Sequence, residues 1–266
     1  MTDSTPLPAP QAATLQAAGQ PLAYLKQGSG PAVVLVHGVG GHKEDWQATM
    51  AALARSRTAY AIDMIGFGGS GKSSQDITIR TQVEAVRALL DAEGVARASL
   101  LGNSVGGWVA ATFASLYPAR VDRLVLSDVA GFKAMFEGPS PVNFYPDSAA
   151  DMHHLLSYLV VTPAMHTPEF AERALAELNA SGDKQAAEVV FKGLFASPRL
   201  EEVLPGISAP TLVLWGAQDK LFPPALADMV SGGIRGSQKH LIEGAGHFPQ
   251  IDNPAAFHKA VTEFLL

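Results

Sequence analysis

The 266-residue chain predicts an α/β fold, a mostly parallel sheet with helices on both faces. Three observations carry that expectation. Short apolar runs, several continuous and β-branched, recur as buried strands do. Helical stretches separate them, the alternation from which parallel sheets are built. One long block, 131–205, breaks the alternation with helical patterns only and predicts an insert.

Taken in order, residues 22–26 alternate like a strand, and 32–36 and 58–62 are the next two runs. Residues 83–90 carry helical spacing. A short strand at 98–101 precedes an apolar helix at 105–116, which Tyr117-Pro118 ends. Strands follow at 124–126, 211–215 and 239–242, and an amphipathic helix at 257–266 closes the chain. Within the block, Thr167-Pro168-Glu169 is a helix start, with a capping hydroxyl, proline at the first helical position and an acid in the first turn. Apolar clusters at Leu155, Leu156 and Leu159, and at Val189, Val190, Phe191 and Leu194, suit a cap over a pocket as well as a subdomain core. The expected organisation is therefore a flexible N-terminal tail at 1–20, a core from 21–130 and 206–266, and a helical cap at 131–205.

Composition narrows the function classes. The hydrophobic share is 47% and the charged share 17%, as in ordinary globular chains. A formal net charge of −6, with no long basic run, gives no electrostatic case for nucleic acid or an anionic membrane. There are no cysteines, which excludes disulfides, thiolate metal sites and a cysteine nucleophile. No uncharged apolar stretch approaches the ~18 residues of a membrane span. The start is polar and rich in Ala, Pro and Gln, without a basic patch leading an apolar core, so no signal peptide is expected and the expected location is cytoplasmic.

The sharpest local signal is Gly102-Asn103-Ser104-Val105-Gly106 between a strand and an apolar helix. A serine on such a tight turn projects its hydroxyl into a cleft, and small residues two positions either side let strand and helix approach. The helix N-terminus beside it can stabilise a developing oxyanion. A lone serine needs a base, and the base an orienting acid. Asp219, in Trp215-Gly216-Ala217-Gln218-Asp219, and His247, in Gly244-Ala245-Gly246-His247, each follow a strand, in the order Ser, acid, His. Parallel sheets place their chemistry at that end. Asp128, after the strand at 124–126, is the alternative acid. The loop His37-Gly38-Val39-Gly40-Gly41 offers an oxyanion donor, taken as the Val39 N–H with Gly40 as alternative, and the Val105 N–H is the second. His37 itself is read as structural. Residues 66–73 also match a phosphate-binding pattern, but a P-loop opens directly into a helix, and here helical periodicity begins only near Thr81.

With these residues in place, the chain resembles the α/β-hydrolase family over nearly its whole length after the tail. The likeness rests on His37-Gly38-Val39-Gly40 with Trp46, on the runs 63–70, 102–107 and 215–219, and on Gly246-His247 with Phe248-Pro249. The resemblance implies a serine carboxylesterase or small lipase, with Ser104, Asp219 and His247 as a catalytic triad. It implies no metal or organic cofactor, and a small apolar ester as substrate. Ser104 argues against the branches with an aspartate nucleophile. Asn103 also occurs in hydrolases that cleave carbon–carbon bonds of ring-fission diketones. Those usually carry Trp after the histidine, where this chain has Phe248, and a cap arginine, for which Arg173 is the candidate. Carbon–carbon cleavage and a ligand-receptor role are the alternatives to ester hydrolysis.

Overall fold

Every residue of Ala32–Val36 is buried, and successive side chains serve opposite layers. Val33 and Leu35 join a cluster with Trp46, Met50 and Phe257, whereas Val34 and Val36 join one with Trp108 and Phe113. A strand apolar on both faces needs cover on both, which is why helices lie above and below the sheet. The computed structural model describes residues 7–72 and 77–266.

Eight strands form the sheet: β1 (Gln11–Ala17), β2 (Gln20–Gly28), β3 (Ala32–Val36), β4 (Thr58–Ile62), β5 (Ala98–Asn103), β6 (Val121–Ser127), β7 (Thr211–Gly216) and β8 (Gln238–Ile242). Their spatial order is β1-β2-β4-β3-β5-β6-β7-β8. Pairing is antiparallel at β1/β2 and β2/β4 and parallel elsewhere. The edge strand β8 is exposed over its first four residues, where Lys239 and His240 deter further strand addition.

The helices follow as α1 (Gln47–Leu53), α2 (Ile79–Ala92), α3 (Val105–Leu116), α4 (Ala149–Leu159), α5 (Pro168–Ser181), α6 (Asp183–Phe195), α7 (Leu200–Val203), α8 (Leu226–Gly233), α9 (Pro249–Asp252) and α10 (Pro254–Leu265). The apolar faces of α1 and α10 build one layer, with Met50, Leu53, Phe257, Val261 and Leu265. Val83, Val86 and Leu89 of α2, Val109 and Phe113 of α3, and Ala227 and Val230 of α8 build the other.

The expectation of a tail at 1–20 is corrected from Gln11 onward, since β1 pairs with β2 from Gln11↔Lys26 to Ala17↔Gln20. Residues 1–6 lie outside the described residues. The strand escapes a pattern search because QAATLQA alternates weakly and five of its seven residues are exposed. Its signal is the turn instead. Ala18 (φ 48°) and Gly19 (φ 76°) both adopt left-handed conformations, the pair of angles a two-residue hairpin turn requires.

Between β6 and β7 the chain runs through α4 to α7 and short 3-10 turns without a strand. Gly131 (φ 104°) opens this insert, and a Cβ there would lie 2.4 Å from the Trp108 ring. Thr167 caps α5 by accepting from Phe170 N–H, with Pro168 at the first turn. Gly182, at φ 73°, then reverses the chain from α5 into α6.

Candidate active site

The turn from β5 into α3 is built by close approach. A Cβ added at Gly102 would sit 2.2 Å from Gly106 O, and one at Gly106 2.2 Å from Val36 O. Neither position tolerates a side chain, so strand, turn and helix meet where Ser104 lies. Ser104 itself has φ 56° and ψ −123°, a left-handed backbone that costs a non-glycine residue roughly 1–3 kcal/mol. Surrounding bonds hold it there: Ser104 N–H donates to Ser127 O at 3.0 Å, and Ala130 N–H to Ser104 O at 3.0 Å.

Val105 opens α3, so its N–H lacks an intrahelical acceptor. Opposite, Gly41 N–H donates to Gly38 O at 3.2 Å, closing a turn with Val39 and Gly40 at its centre. Gly40, at φ 75°, fits the third position of a type II turn, where glycine is favoured. His37 braces this loop from below. Its Nδ1–H donates to Gly38 O (2.6 Å) and its Nε2 accepts from Met64 N–H (2.9 Å). Complete burial lowers the His37 pKa, in keeping with a neutral ring that serves the loop's structure.

Asp219 and His247 meet behind the serine. Asp219 Oδ1 accepts from the N–H groups of Leu221 (2.8 Å) and Phe222 (3.0 Å), and His247 Nδ1–H donates to Oδ2 at 2.8 Å. His247 is 1% exposed, and its ring meets the Phe222 ring edge-on at 5.1 Å. A Cβ on Gly216 would lie 1.9 Å from Gly246 O, so glycine here lets the acid loop approach the histidine loop. Asn103 Nδ2 donates to His247 O at 3.0 Å, linking the turn before the serine to the base. Among the described residues no hydrogen bond joins the Ser104 hydroxyl to the imidazole; such contacts commonly tighten once substrate is bound.

Asp128 takes a different place. It lies fully buried at φ 45°, with Oδ1 accepting from Gly216 N–H and Oδ2 from the Ser127 hydroxyl, both at 2.8 Å. The imidazole bonds Asp219 and not Asp128.

Ser104, His247, Val39 and Val105 all line one cavity of about 320 Å³. The insert supplies much of its wall through Met152, Leu155 and Leu156 of α4, Leu178 of α5 and Phe191 of α6. Two anchors tie that insert to the site, and neither has a sequence signature. His247 N–H donates to Leu159 O (2.8 Å), and the Asp252 carboxylate accepts from Val161, Thr162 and Gly246 N–H groups and from the Thr162 hydroxyl. Across the cleft, His42 Nε2–H donates to Asp183 Oδ2 at 2.6 Å, and Lys72 Nζ pairs with the same carboxylate at 3.3 Å. The hydrogen bond to Asp183 raises the His42 pKa.

The glycine-rich run 66–72 is not shaped as a phosphate cradle. It folds around Asp63, whose carboxylate accepts from Gly69 N–H (2.8 Å) and Lys43 N–H (2.7 Å), and α2 begins only at Ile79. Ser73 lies outside the described residues. Arg173 stacks its guanidinium 4.9 Å from the Phe170 ring and does not line the cavity. No helix among the described residues is long and apolar enough to cross a membrane.

Comparison with known proteins agrees with the fold. The Alpha/beta hydrolase family matches residues 33–260. A 2-hydroxy-6-oxo-2,4-heptadienoate hydrolase of Pseudomonas putida is 30% identical, covering 90% of each chain. A bacterial membrane phospholipase A superposes with a TM-score of 0.83 at 29% identity, over 97% of this chain and 86% of that one. A thermophilic esterase from Thermogutta terrifontis gives 0.81 at 26% identity, over 96% and 98%. The chain belongs to the alpha/beta hydrolase family, and it is a hydrolase of that fold.

Proposed function

We propose that this hydrolase cleaves carboxylic esters of small or medium apolar substrates through an acyl-enzyme on Ser104. The observation that supports it most is the character of the cavity wall into which Ser104 and His247 open. Apolar side chains dominate that wall, and among the described residues it holds no arginine. Its cations are already engaged: Lys184 with Asp147 and Pro146 O, and His42 with Asp183. A neutral ester leaves these pairs intact, whereas a substrate carboxylate would enter an apolar chamber without a free cation to meet it.

The chemistry follows from the placement. Ser104 Oγ attacks the ester carbonyl as His247 Nε2 takes its proton. Asp219 fixes the tautomer through Nδ1–H and stabilises the imidazolium. The N–H groups of Val39 and Val105 receive the oxyanion, each donor of this type being worth about 10²–10³ in kcat. His247 then protonates the leaving alcohol, and water deacylates the serine by the reverse path.

Carbon–carbon cleavage of ring-fission diketones is the second reading, favoured by the Pseudomonas putida relative and by Asn103 beside the nucleophile. Hydrolysis of p-nitrophenyl esters of rising acyl length, by wild type and Ser104→Ala, separates the two. Turnover on short and medium esters, lost about 10³-fold or more in the variant, is expected. An enzyme inert to every ester but active on a ring-fission diketone would overturn ester hydrolysis.

A further inference from the structure

Among the described residues, four that line the cavity carry a buried polar atom without a hydrogen-bond partner: Trp46 Nε1, Asn103 Oδ1, Asp183 Oδ1 and Gln250 Oε1. Three of these side chains are otherwise committed. Trp46 packs its ring against Phe257 in the layer of α1 and α10. Asn103 is oriented by the bonds from Nδ2 to Ser127 O and His247 O, and Asp183 is paired with His42 and Lys72. Gln250 differs, because neither end of its amide is engaged by a described residue, although only 7% of the residue is exposed. An amide out of water with nothing to bond destabilises a fold. An apolar side chain of the same length would fill the place without that cost, so packing does not explain the amide. A polar group on a ligand in the cavity does.

The backbone that carries Gln250 is fixed. Pro249 opens α9, Ile251 N–H donates to Phe248 O at 2.9 Å, and the Asp252 carboxylate accepts from Gly246 N–H at 2.9 Å. Gln250 therefore stands three residues after His247 on a segment tied on both sides. Its amide end is soft, since the last torsion of glutamine is broad, and it can turn either Oε1 or Nε2 to the cavity. The neutral group that answers both atoms is a hydroxyl, which donates to Oε1 or accepts from Nε2–H. A carbonyl or ether serves only Nε2. An ammonium serves only Oε1, and it would bring a charge into an apolar chamber.

We propose that Gln250 is a substrate-binding residue that receives a hydroxyl on the alcohol part of the ester, so that the preferred substrate is a hydroxyalkyl ester of an apolar acid. The alcohol part is assigned because His247, on the same segment, protonates the leaving oxygen in the proposed reaction. The apolar wall from α4 and α6 then faces the acyl chain. The contact is a hydrogen bond only, and no covalent bond forms or breaks at Gln250. The inference rests on the ester reading of the Ser104 site.

The test compares 2-hydroxyethyl butanoate with propyl butanoate, two esters alike in length that differ by a terminal hydroxyl in place of a methyl group. Wild type and Gln250→Met, each shown folded by circular dichroism, are assayed by titrating the released acid. Gln250→Leu replaces Gln250→Met should the latter not fold. The readout is the ratio of the two kcat/KM values within each protein, and comparing ratios between proteins cancels the intrinsic reactivity of the esters. In the variant the hydroxyl loses one neutral hydrogen bond, about fivefold, and the propyl methyl gains an apolar neighbour, about twofold. The ratio is therefore expected to fall by about tenfold, whereas a merely structural role would move both esters together. An equal ratio in the two proteins, with both esters turned over, would overturn the subsite and leave ester hydrolysis standing. A loss on propyl 3-hydroxybutanoate in place of the hydroxyethyl ester would overturn the assignment to the alcohol part. A wild type inert to all three esters would overturn ester hydrolysis, and the subsite with it.

Discussion

Gly106 is the position where fold and chemistry are most tightly joined, and Gly106→Ala tests that joint. The added methyl group would lie 2.2 Å from Val36 O and 2.4 Å from His37 O, both rigid backbone atoms. An ordinary carbon–oxygen contact is about 3.3–3.6 Å, so α3 must withdraw from β3 by roughly 1 Å. Overpacking of this kind costs about 1–3 kcal/mol. For a chain of this size that lowers Tm by roughly 2–12 °C. The same shift of about 1 Å displaces the Val105 N–H and the serine it follows, and a misplacement of that size costs about 10²-fold in rate. Differential scanning calorimetry and ester hydrolysis read the two effects. Gly232→Ala is the control: the residue is exposed within α8 and no atom lies within 4 Å of its added Cβ. Helix propensity there raises stability by about 0.5–1 kcal/mol without touching kcat. A Gly106→Ala protein with the melting temperature and kcat/KM of wild type would refute the claim that close approach at this residue sets the turn.

Three further outcomes are expected. Ser104→Gly abolishes ester turnover yet raises Tm, because glycine adopts φ 56° without strain and the gain of roughly 1 kcal/mol exceeds its added unfolded-state entropy; a lowered Tm would contradict stored strain at this residue. His42 has its pKa raised by the hydrogen bond from its ring to Asp183, so its contribution to stability is full below the unfolded value of about 6.5 and is lost as pH rises through the folded value. The Tm deficit of His42→Gln relative to wild type is accordingly largest below pH ~6.5 and shrinks above it, as thermal melts across pH will show; a deficit independent of pH would exclude the charged pair as its source. Leu156→Trp fills part of the cavity and lowers kcat/KM for long acyl esters by about tenfold or more while sparing acetate, and an unchanged length profile would place the acyl chain elsewhere.

Much of the fold was legible because its signals are local. Buried parallel strands announce themselves as continuous apolar runs, and the runs at β3, β5 and β7 mark those strands to within a residue or two of their bounds. The candidate site was legible for a related reason: Ser104, Asp219 and His247 each follow a strand, and glycines mark the places where chains must nearly touch. β1 was missed because its stability comes from pairing with β2 and from a left-handed turn, not from an apolar face of its own. Asp252, the bond from Asn103 to His247 and the His42–Asp183 pair left no trace because each acts on residues far away in the chain, through contacts that no spacing rule encodes.

By itself the sequence determined the class of fold, the places of seven of the eight strands along the chain and three side chains suited to acyl transfer, since periodicity and backbone sterics act over a few residues. Only the tertiary structure decided that His247 bonds Asp219 while Asp128 stands beside it, that His37 braces a loop, and that α4 to α6 close an apolar cavity over the serine. Those facts depend on distances between segments separated by tens of residues, and such distances are set by how whole layers pack, which no local pattern contains.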